Sequence, residues 1–208
     1  MIEVHHLNNS RSHRVLWLLE ELLVPYEVVR YQRDPQTMLA PAELKKVHPL
    51  GKSPVIRDGE VVLAESGAIL EYLLHTYSGH KLVPPQDTQA HLRYQYWFHF
   101  AEGSAMPPLL LKLYLARLGE PAAPVLARID AQLAGMLDFM EAELAGPYFA
   151  GEDFSAADIQ MSFPLEAAVA RAGLSESRPK LWHLLGRLRQ REAWQRAEER
   201  GGALKLGK

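Results

Sequence analysis

Two kinds of hydrophobic periodicity divide this sequence, and the point at which one gives way to the other constrains the fold more than any other feature. Up to residue 78, short runs with the alternation of a β-strand are interleaved with stretches of helical spacing. From residue 87 onward, apolar residues recur only at the spacing of a helix. A segment with one glycine and two adjacent prolines lies between them, which is typical of a linker. We therefore predict an α/β domain at 1–78, a linker at 79–86 and an all-α domain at 87–208.

The first part contains predicted elements in the order β-α-β-α-β-β-α. Two strands are predicted, followed by a hairpin around Asp58-Gly59, a dipeptide typical of a type I′ turn. Ser12 and Ser66 are the predicted N-caps of the first and third helices. The β-α-β start makes the first two strands parallel, whereas the hairpin makes the last two antiparallel, so the sheet is expected to be mixed. The predicted strands lie at 2–7, 26–31, 53–57 and 61–64, and the predicted helices of the first part lie at 13–23, 41–47 and 66–77. In the second part the helical pattern covers 88–118, 122–145, 156–172 and 178–192, with breaks at Pro107-Pro108, Pro121, Gly146-Pro147, Gly173 and Pro179.

The composition excludes several classes of function. The chain contains no cysteine, so disulfides, thiolate metal sites and a cysteine nucleophile are excluded. The net charge is −2 and no polybasic run occurs, which argues against a nucleic-acid partner or a membrane surface. The nine histidines are scattered without metal-ligand spacing, so we expect no metal. With no signal-like segment and no apolar run near the ~20 residues that span a bilayer, the expected location is cytoplasmic.

The segment Lys52-Ser53-Pro54 suggests an edge that binds an extended peptide. A proline at the start of a strand cannot donate to the ladder of hydrogen bonds. If the Ser53–Pro54 bond is cis, the N–H and C=O of Ser53 project together and can pair with a peptide as another strand would. Lys52 beside them suits a carboxylate. The alternative is a loop proline next to an exposed lysine.

Glu65 and Ser66 stand at the start of the third predicted helix. A serine hydroxyl and the free N–H groups of a helix start bind an anion, whereas a glutamate suits an ammonium. An α-amino acid head carries both groups. The alternative is an ordinary helix cap. Taken with the preceding segment, the pattern predicts a ligand with an amino-acid head, a peptide backbone and a C-terminal carboxylate, as in glutathione.

Four segments resemble motifs of the cytosolic glutathione S-transferases, in order and at the expected distances. The fourth contains a predicted capping box between Ser155 and Asp158. The resemblance covers essentially the whole chain, and the first segment is most similar to bacterial and fungal transferases typified by a yeast enzyme. The segments are NNSRSHRVLWLLEEL, HPLGKSPVI, LAESGAILEYL and GEDFSAADI.

This resemblance implies a thioredoxin-like first domain and a homodimer that acts in detoxification. Glutathione is the implied substrate, small hydrophobic electrophiles are the implied partners, and no metal is needed. Lys52 would bind the glycine carboxylate, Ser53 with Pro54 the cysteinyl unit, and Glu65 with Ser66 the γ-glutamyl head. The serine-type classes place the thiol-activating residue in the turn after the first strand. Here that residue is Ser10, with Ser12 and Asn9 of the same turn as alternatives.

Residues of the second domain complete the expected site. Glu102 would reach the γ-glutamyl ammonium bound by the neighbouring subunit, although a solvated helical glutamate is the alternative. An apolar cleft for the electrophile would draw on helical residues, although apolar residues at this spacing often belong to a core. These residues are Trp97, Met106, Leu109, Leu110, Leu113 and Tyr114.

Three functions fit this pattern. We favour a transferase that conjugates the glutathione thiolate to small electrophiles. A glutathione-dependent peroxidase or disulfide-bond reductase is the second interpretation, because the same thiolate can attack a peroxide or a disulfide. A non-catalytic glutathione-binding or interaction module is the third, and the presence of Lys52, Glu65 and Ser66 disfavours it.

Overall fold

The computed structural model describes residues 1–207 and contains a four-stranded mixed sheet in the first part of the chain. The strand order is β2-β1-β3-β4. Strands β1 and β2 are parallel, β1 and β3 are antiparallel, and β3 and β4 form the antiparallel hairpin. The mixed sheet and the element order predicted from the sequence are thereby confirmed. The strands are β1 (Ile2–Leu7), β2 (Tyr26–Tyr31), β3 (Val55–Asp58) and β4 (Val61–Ala64).

Three helices connect and follow these strands. Helix α1 is buried from Ser12 to Glu20, and it ends where Leu23 adopts a left-handed φ of 55°, two residues before Pro25. Helix α2 is shorter than predicted, because the residues after Pro41 form turns before the first helical residue. The helices are α1 (Ser12–Leu22), α2 (Leu44–Val47) and α3 (Ser66–Tyr77).

The hairpin turn differs from the predicted one by a residue. Asp58 pairs with Val61, so the two loop residues are Gly59 and Glu60. Gly59 has a φ of 57°, and Glu60 is not among the residues with positive φ. A type I′ turn needs positive φ at both central residues, so the predicted turn type is wrong. The glycine is still required, because a left-handed φ is costly for residues with a Cβ.

The second part of the chain is helical in the described residues. Helix α7 is buried from Ala156 to Ala168 and forms the centre of this part. The capping box predicted at its start is present, with the Asp158 carboxylate accepting the Ser155 N–H at 2.9 Å. A π-helical turn, Ala101–Ala105, precedes Pro107, which has no N–H to donate. The helices are α4 (Gln89–Phe100), α5 (Met106–Leu115), α6 (Ala123–Glu143), α7 (Ala156–Arg171), α8 (Pro179–Arg189) and α9 (Glu192–Gly201).

The chain forms two compact units whose boundaries differ from the predicted domains. The first unit contains residues 1–82 and also 190–205, and the second contains 83–189 with Leu206 and Gly207. The prediction placed everything after residue 87 in the second domain. Helix α9 instead completes the first unit. No helix among residues 1–207 combines the length and apolar character needed to cross a membrane.

Packing and charge explain why α9 joins the first unit. The Trp194 ring is buried and packs edge-on against Trp17, with ring centroids 4.8 Å apart. Beside it, the Glu20 carboxylate accepts hydrogen bonds from Arg196 at 2.8 Å and Arg200 at 3.3 Å. Burial opposes the charged form of Glu20, but the hydrogen bonds from Arg196, Tyr26 and Arg200 outweigh it and lower the pKa of Glu20. An amphipathic helix with an indole and two guanidiniums on one face therefore docks on α1.

Candidate functional site

The turn between β1 and α1 is held by side chains and backbone from two distant segments. The Arg33 N–H donates to the side-chain oxygen of Asn8 at 2.8 Å. Asn9 has a φ of 51°, a conformation that asparagine tolerates better than most residues. Its side-chain oxygen accepts the backbone N–H of Lys205 at 2.8 Å. The turn that presents Ser10 is therefore fixed by the segment after β2 and by the C-terminal segment.

The contacts of Ser10 and Ser12 differ from the predicted ones at the start of α1. Helix α1 starts at Ser12, and Arg11 in the cap position makes no side-chain capping bond. The Ser10 hydroxyl accepts the backbone N–H of Ser12 at 3.2 Å, and the two hydroxyl oxygens lie 2.7 Å apart. The prediction that Ser12 caps the helix is wrong, because its hydroxyl points back toward His6 Nδ1 at 2.8 Å.

His6 was not identified as a site residue from the sequence. Its ring is buried, with Nε2 lying 2.9 Å from the carbonyl oxygen of Gly201 at the end of α9. Burial lowers the pKa of His6 to about 4, against the opposing effect of the Gly201 hydrogen bond. The ring is therefore neutral at physiological pH. His5 is buried in the same strand, and the partner at Gly201 is 195 positions away, so the sequence contained no signal for this contact.

The Ser53 side chain attaches its segment to the end of β1. Its hydroxyl donates to the His5 carbonyl at 2.8 Å and accepts the Leu7 N–H at 3.1 Å. The Ser53–Pro54 bond is cis. Within residues 1–207, no intramolecular hydrogen bond occupies the backbone N–H or C=O of Ser53. Lys52 is exposed beside it.

Glu65 and Ser66 stand one position later in the helix than predicted. Helix α3 begins at Ser66, and Glu65 in the cap position makes no capping bond, so Ser66 is not the N-cap. Glu65 has a φ of 68°, a costly conformation for a residue with a side chain. It is exposed, whereas Ser66 is buried. The pair thus offers a carboxylate to the outside and a hydroxyl with free N–H groups at the helix start.

Arg14 is a second candidate site residue that was not identified from the sequence. Its side chain is fully buried, and its Nη2 donates to the Ser66 hydroxyl at 2.8 Å. A guanidinium has no acceptor, so Ser66 must be the acceptor here and keeps its own proton for another partner. A cation and a hydroxyl donor at a helix N-terminus together favour a carboxylate. A charged residue inside the apolar stripe of α1 was the available signal.

The predicted segments of the first part therefore converge on β1 and α1. Ser53 is bonded to β1, Ser66 is bonded to α1 through Arg14, and Ser10 lies in the turn that joins them. Among residues 1–207, no group of three His, Asp or Glu side chains is placed to hold a metal ion. The arrangement offers polar and charged groups for a peptide-like ligand.

Several residues predicted for the electrophile cleft are core residues of the second unit. Trp97, Met106 and Leu109 are each at most 1% exposed. The Trp97 ring packs against Phe149 with centroids 4.7 Å apart, as part of an aromatic cluster. The prediction that these three residues line the cleft is therefore wrong. They fill the space between the helices, because close packing there requires large apolar side chains.

The other predicted residues of the second unit are more accessible. Leu110 and Leu113 are half-buried, and Tyr114 is exposed on α5. Glu102 lies half-buried in the π-helical turn. Their roles toward an electrophile and a second subunit stay predictions.

Comparisons with known proteins identify the family. The family model described as glutathione S-transferase, N-terminal domain, matches residues 1–75, and that of the C-terminal domain matches residues 123–195. Glutathione S-transferase 3 of Schizosaccharomyces pombe is 40% identical over 184 residues, covering 81% of this chain and 74% of the relative. Glutathione S-transferase 1 of Saccharomyces cerevisiae is 34% identical, covering 98% and 97%. This chain belongs to the glutathione S-transferase family.

Solved structures agree on the fold. A glutathione S-transferase from Actinobacillus pleuropneumoniae superposes with a TM-score of 0.89 at 34% identity, over 99% of this chain and 95% of that one. A glutathione transferase homologue from Sulfitobacter, solved with bound glutathione, superposes with a TM-score of 0.82 at 23% identity, over 98% and 99%. The predicted thioredoxin-like domain followed by a helical domain is confirmed, as is the prediction of a glutathione transferase.

Proposed function

We propose that this protein conjugates the thiolate of glutathione to small hydrophobic electrophiles. The observation that carries the proposal is the hydrogen bond from buried Arg14 to Ser66 at the start of α3, with Glu65 next to it. Arg14, Ser66 and the helix start would hold the α-carboxylate of the γ-glutamyl head, and Glu65 its ammonium. Lys52 would hold the glycine carboxylate.

The middle of the peptide would align with Ser53. Its backbone N–H and C=O would pair with the cysteinyl unit as in an antiparallel ladder, since its side chain is already engaged by β1. This pairing would direct the cysteinyl side chain toward the turn with Ser10. Asn9 and Ser12 are the other candidates in that turn. We assign the activating role to Ser10, because the Ser12 hydroxyl is bonded to His6.

Hydrogen bonding alone can supply the required activation. A free thiol with a pKa of about 8.5 is only a few per cent thiolate at neutral pH. Lowering that pKa by about 2 units takes ~2.7 kcal/mol. A hydrogen bond to a charged sulfur supplies about 1.5–3 kcal/mol, and the N-terminus of α1 adds ~0.3–1 kcal/mol. No general base is needed. The thiolate then forms a carbon–sulfur bond with the electrophile while the leaving group departs with its electron pair.

A binding experiment tests the head site. Ser66→Ala and Glu65→Ala should each weaken glutathione binding in calorimetry by about 1.5–3 kcal/mol, because each removes a charge-assisted contact. Glu71→Ala on the same helix and Ser78→Ala at its C-terminal cap are matched controls away from its N-terminus. Unchanged affinity in both site variants, or an equal loss in the controls, would contradict the proposal.

Turnover separates conjugation from the related activities. The purified protein should convert chlorodinitrobenzene faster than it reduces cumene hydroperoxide or a mixed disulfide of glutathione. The reverse order would favour the peroxidase or reductase. Glutathione binding without any of these activities would favour a non-catalytic module.

We also propose a cytoplasmic homodimer in which Glu102 contacts the neighbouring subunit's glutathione. Sedimentation of a monomer at micromolar concentration would contradict that assembly.

A further inference from the structure

A line of hydrogen bonds connects Ser10 to the end of the C-terminal helix. The Ser10 and Ser12 hydroxyl oxygens are 2.7 Å apart, and Ser12 Oγ is 2.8 Å from His6 Nδ1. On the other side of the ring, His6 Nε2 is 2.9 Å from the Gly201 carbonyl oxygen. We call these four groups the Ser10–Gly201 chain. Ser10, Ser12 and His6 are all buried, so water does not replace these bonds.

The Gly201 carbonyl determines the tautomer of His6. A carbonyl oxygen only accepts hydrogen bonds, so Nε2 must carry the proton that lies between them. Burial, the largest effect, and the positive charge of Arg30 on β2 lower the pKa of His6 to about 4, so the ring is neutral. A neutral imidazole has one N–H. Nδ1 therefore has a lone pair and faces Ser12 as an acceptor.

The tautomer in turn determines the direction of the remaining bonds. The Ser12 hydroxyl has one proton, and the lone pair of His6 Nδ1 at 2.8 Å needs a donor. If Ser12 donated to Ser10 instead, two lone pairs would face each other in a buried site. The other acceptor near the Ser12 hydroxyl is the carbonyl oxygen of Leu7, which is more distant at 3.3 Å. Ser12 thus donates to His6, and the short contact between the hydroxyls requires that Ser10 donates to Ser12.

We infer that His6 and Ser12 are positioning residues that hold the Ser10 proton away from the bound sulfur, so that the thiolate competes with Ser12 for it. The inference rests on the proposed role of Ser10 in activating glutathione. The Ser10 oxygen stays in place throughout, because it also accepts the Ser12 backbone N–H at 3.2 Å. The side chains of His6 and Ser12 therefore adjust the acidity of the thiol without touching the ligand.

His6 does not act as a base in this arrangement. Moving the thiol proton along the chain to Nδ1 would transfer it from a group of pKa about 8.5 to one whose pKa burial has lowered to about 4. That transfer is unfavourable by more than four orders of magnitude, as estimated from the ~4.5-unit difference. His6 therefore affects Ser10 by setting the direction of the hydrogen bonds between them, and not by taking up a proton.

Helix α9 can contribute to the Ser10–Gly201 chain because its last residue is a glycine. A Cβ placed on Gly201 would lie 2.5 Å from the Leu16 side chain and 3.0 Å from the His6 ring. Only glycine lets the helix end approach closely enough for its carbonyl to meet Nε2. The C-terminal segment also donates the Lys205 N–H to Asn9 in the same turn. The first unit thus uses residues from both ends of the chain to orient one hydroxyl.

The test measures the thiol pKa of bound glutathione by its thiolate absorbance. Ser12→Ala removes the competing acceptor but keeps the backbone N–H, so the thiol pKa should fall by about 0.4–1.1 units, the equivalent of one neutral hydrogen bond. Ser12→Thr keeps the hydroxyl and should leave the thiol pKa as in the wild type. Ser10→Ala should raise it. The double variant Ser10→Ala/Ser12→Ala should equal Ser10→Ala, because Ser12 acts only through Ser10.

The outcomes separate this inference from the proposed function. If Ser10→Ala leaves the thiol pKa unchanged, the role of Ser10 and the inference both fail. If Ser10→Ala raises the thiol pKa but Ser12→Ala does not lower it, only the inference is overturned. Nitrogen-15 chemical shifts of the His6 ring in the wild-type protein provide a measurement independent of variant folding. They should identify a neutral ring protonated at Nε2, and a proton at Nδ1 would overturn the inference.

Discussion

Acid should destabilise this protein through His13, a buried histidine on α1. Its ring is 2% exposed and packs on Trp194 of α9 with centroids 4.5 Å apart. Among residues 1–207, neither ring nitrogen has a hydrogen-bond partner. Burial, then the neighbouring His6 and Arg14, lowers the pKa of His13 from 6.5 to about 3. Replacing the ring by phenylalanine should keep the aromatic packing and remove the group that titrates.

The sign and size of the effect follow from linkage. Since the folded pKa lies below the unfolded one, the stabilising effect of a neutral His13 is complete above pH 6.5 and is lost as the pH falls toward 3. Between about pH 7 and about pH 5, the unfolded histidine takes up most of a proton and the folded one takes up almost none. This lowers the free energy of unfolding by about 2 kcal/mol. Any folded-state pKa below ~4 gives nearly the same value.

Urea unfolding of the wild type and of His13→Phe at both pH values measures this difference. Relative to the wild type, the variant should gain about 2 kcal/mol on going from about pH 7 to about pH 5. Other groups cancel in this comparison. Asp158, for example, has its pKa raised by burial to about 6 and opposes the acid effect equally in both proteins. A difference that does not change with pH would show that folded His13 binds a proton, and would refute the reasoning.

Two further predictions concern contacts that only the structure identified. Gly201→Ala should lower the free energy of unfolding by about 1–3 kcal/mol through overpacking against Leu16, measured by urea unfolding. Gly186→Ala is its control, because a Cβ there meets nothing within 4 Å, and an equal loss would contradict the packing argument. Arg14→Met should weaken glutathione binding in calorimetry by about 1.5–3 kcal/mol, since Ser66 loses its charged donor. Unchanged affinity in a folded variant would remove Arg14 from the site.

Much of the fold could be predicted because its signals are local. The order of strands and helices follows from hydrophobic periodicity, which is a property of short windows of sequence. The capping box of Ser155 and Asp158 joins residues three apart, so its two members are visible together. The pair Ser53-Pro54 and the pair Glu65-Ser66 were found for the same reason. The sequence also predicted the family correctly, since several such local patterns occur in the right order.

The partners of those residues were decided by tertiary structure. Arg14 and Ser66 are 52 positions apart, and His6 and Gly201 are 195 apart, so no local pattern relates them. Ser12 precedes a helical stripe and has the side chain of an N-cap, yet its hydroxyl bonds to Nδ1 of the buried His6 ring. The sequence by itself determined which elements form and which residues carry the groups that a peptide ligand would need. Tertiary packing determined which hydroxyl faces which partner, because a buried polar group must bond to whatever the fold brings beside it.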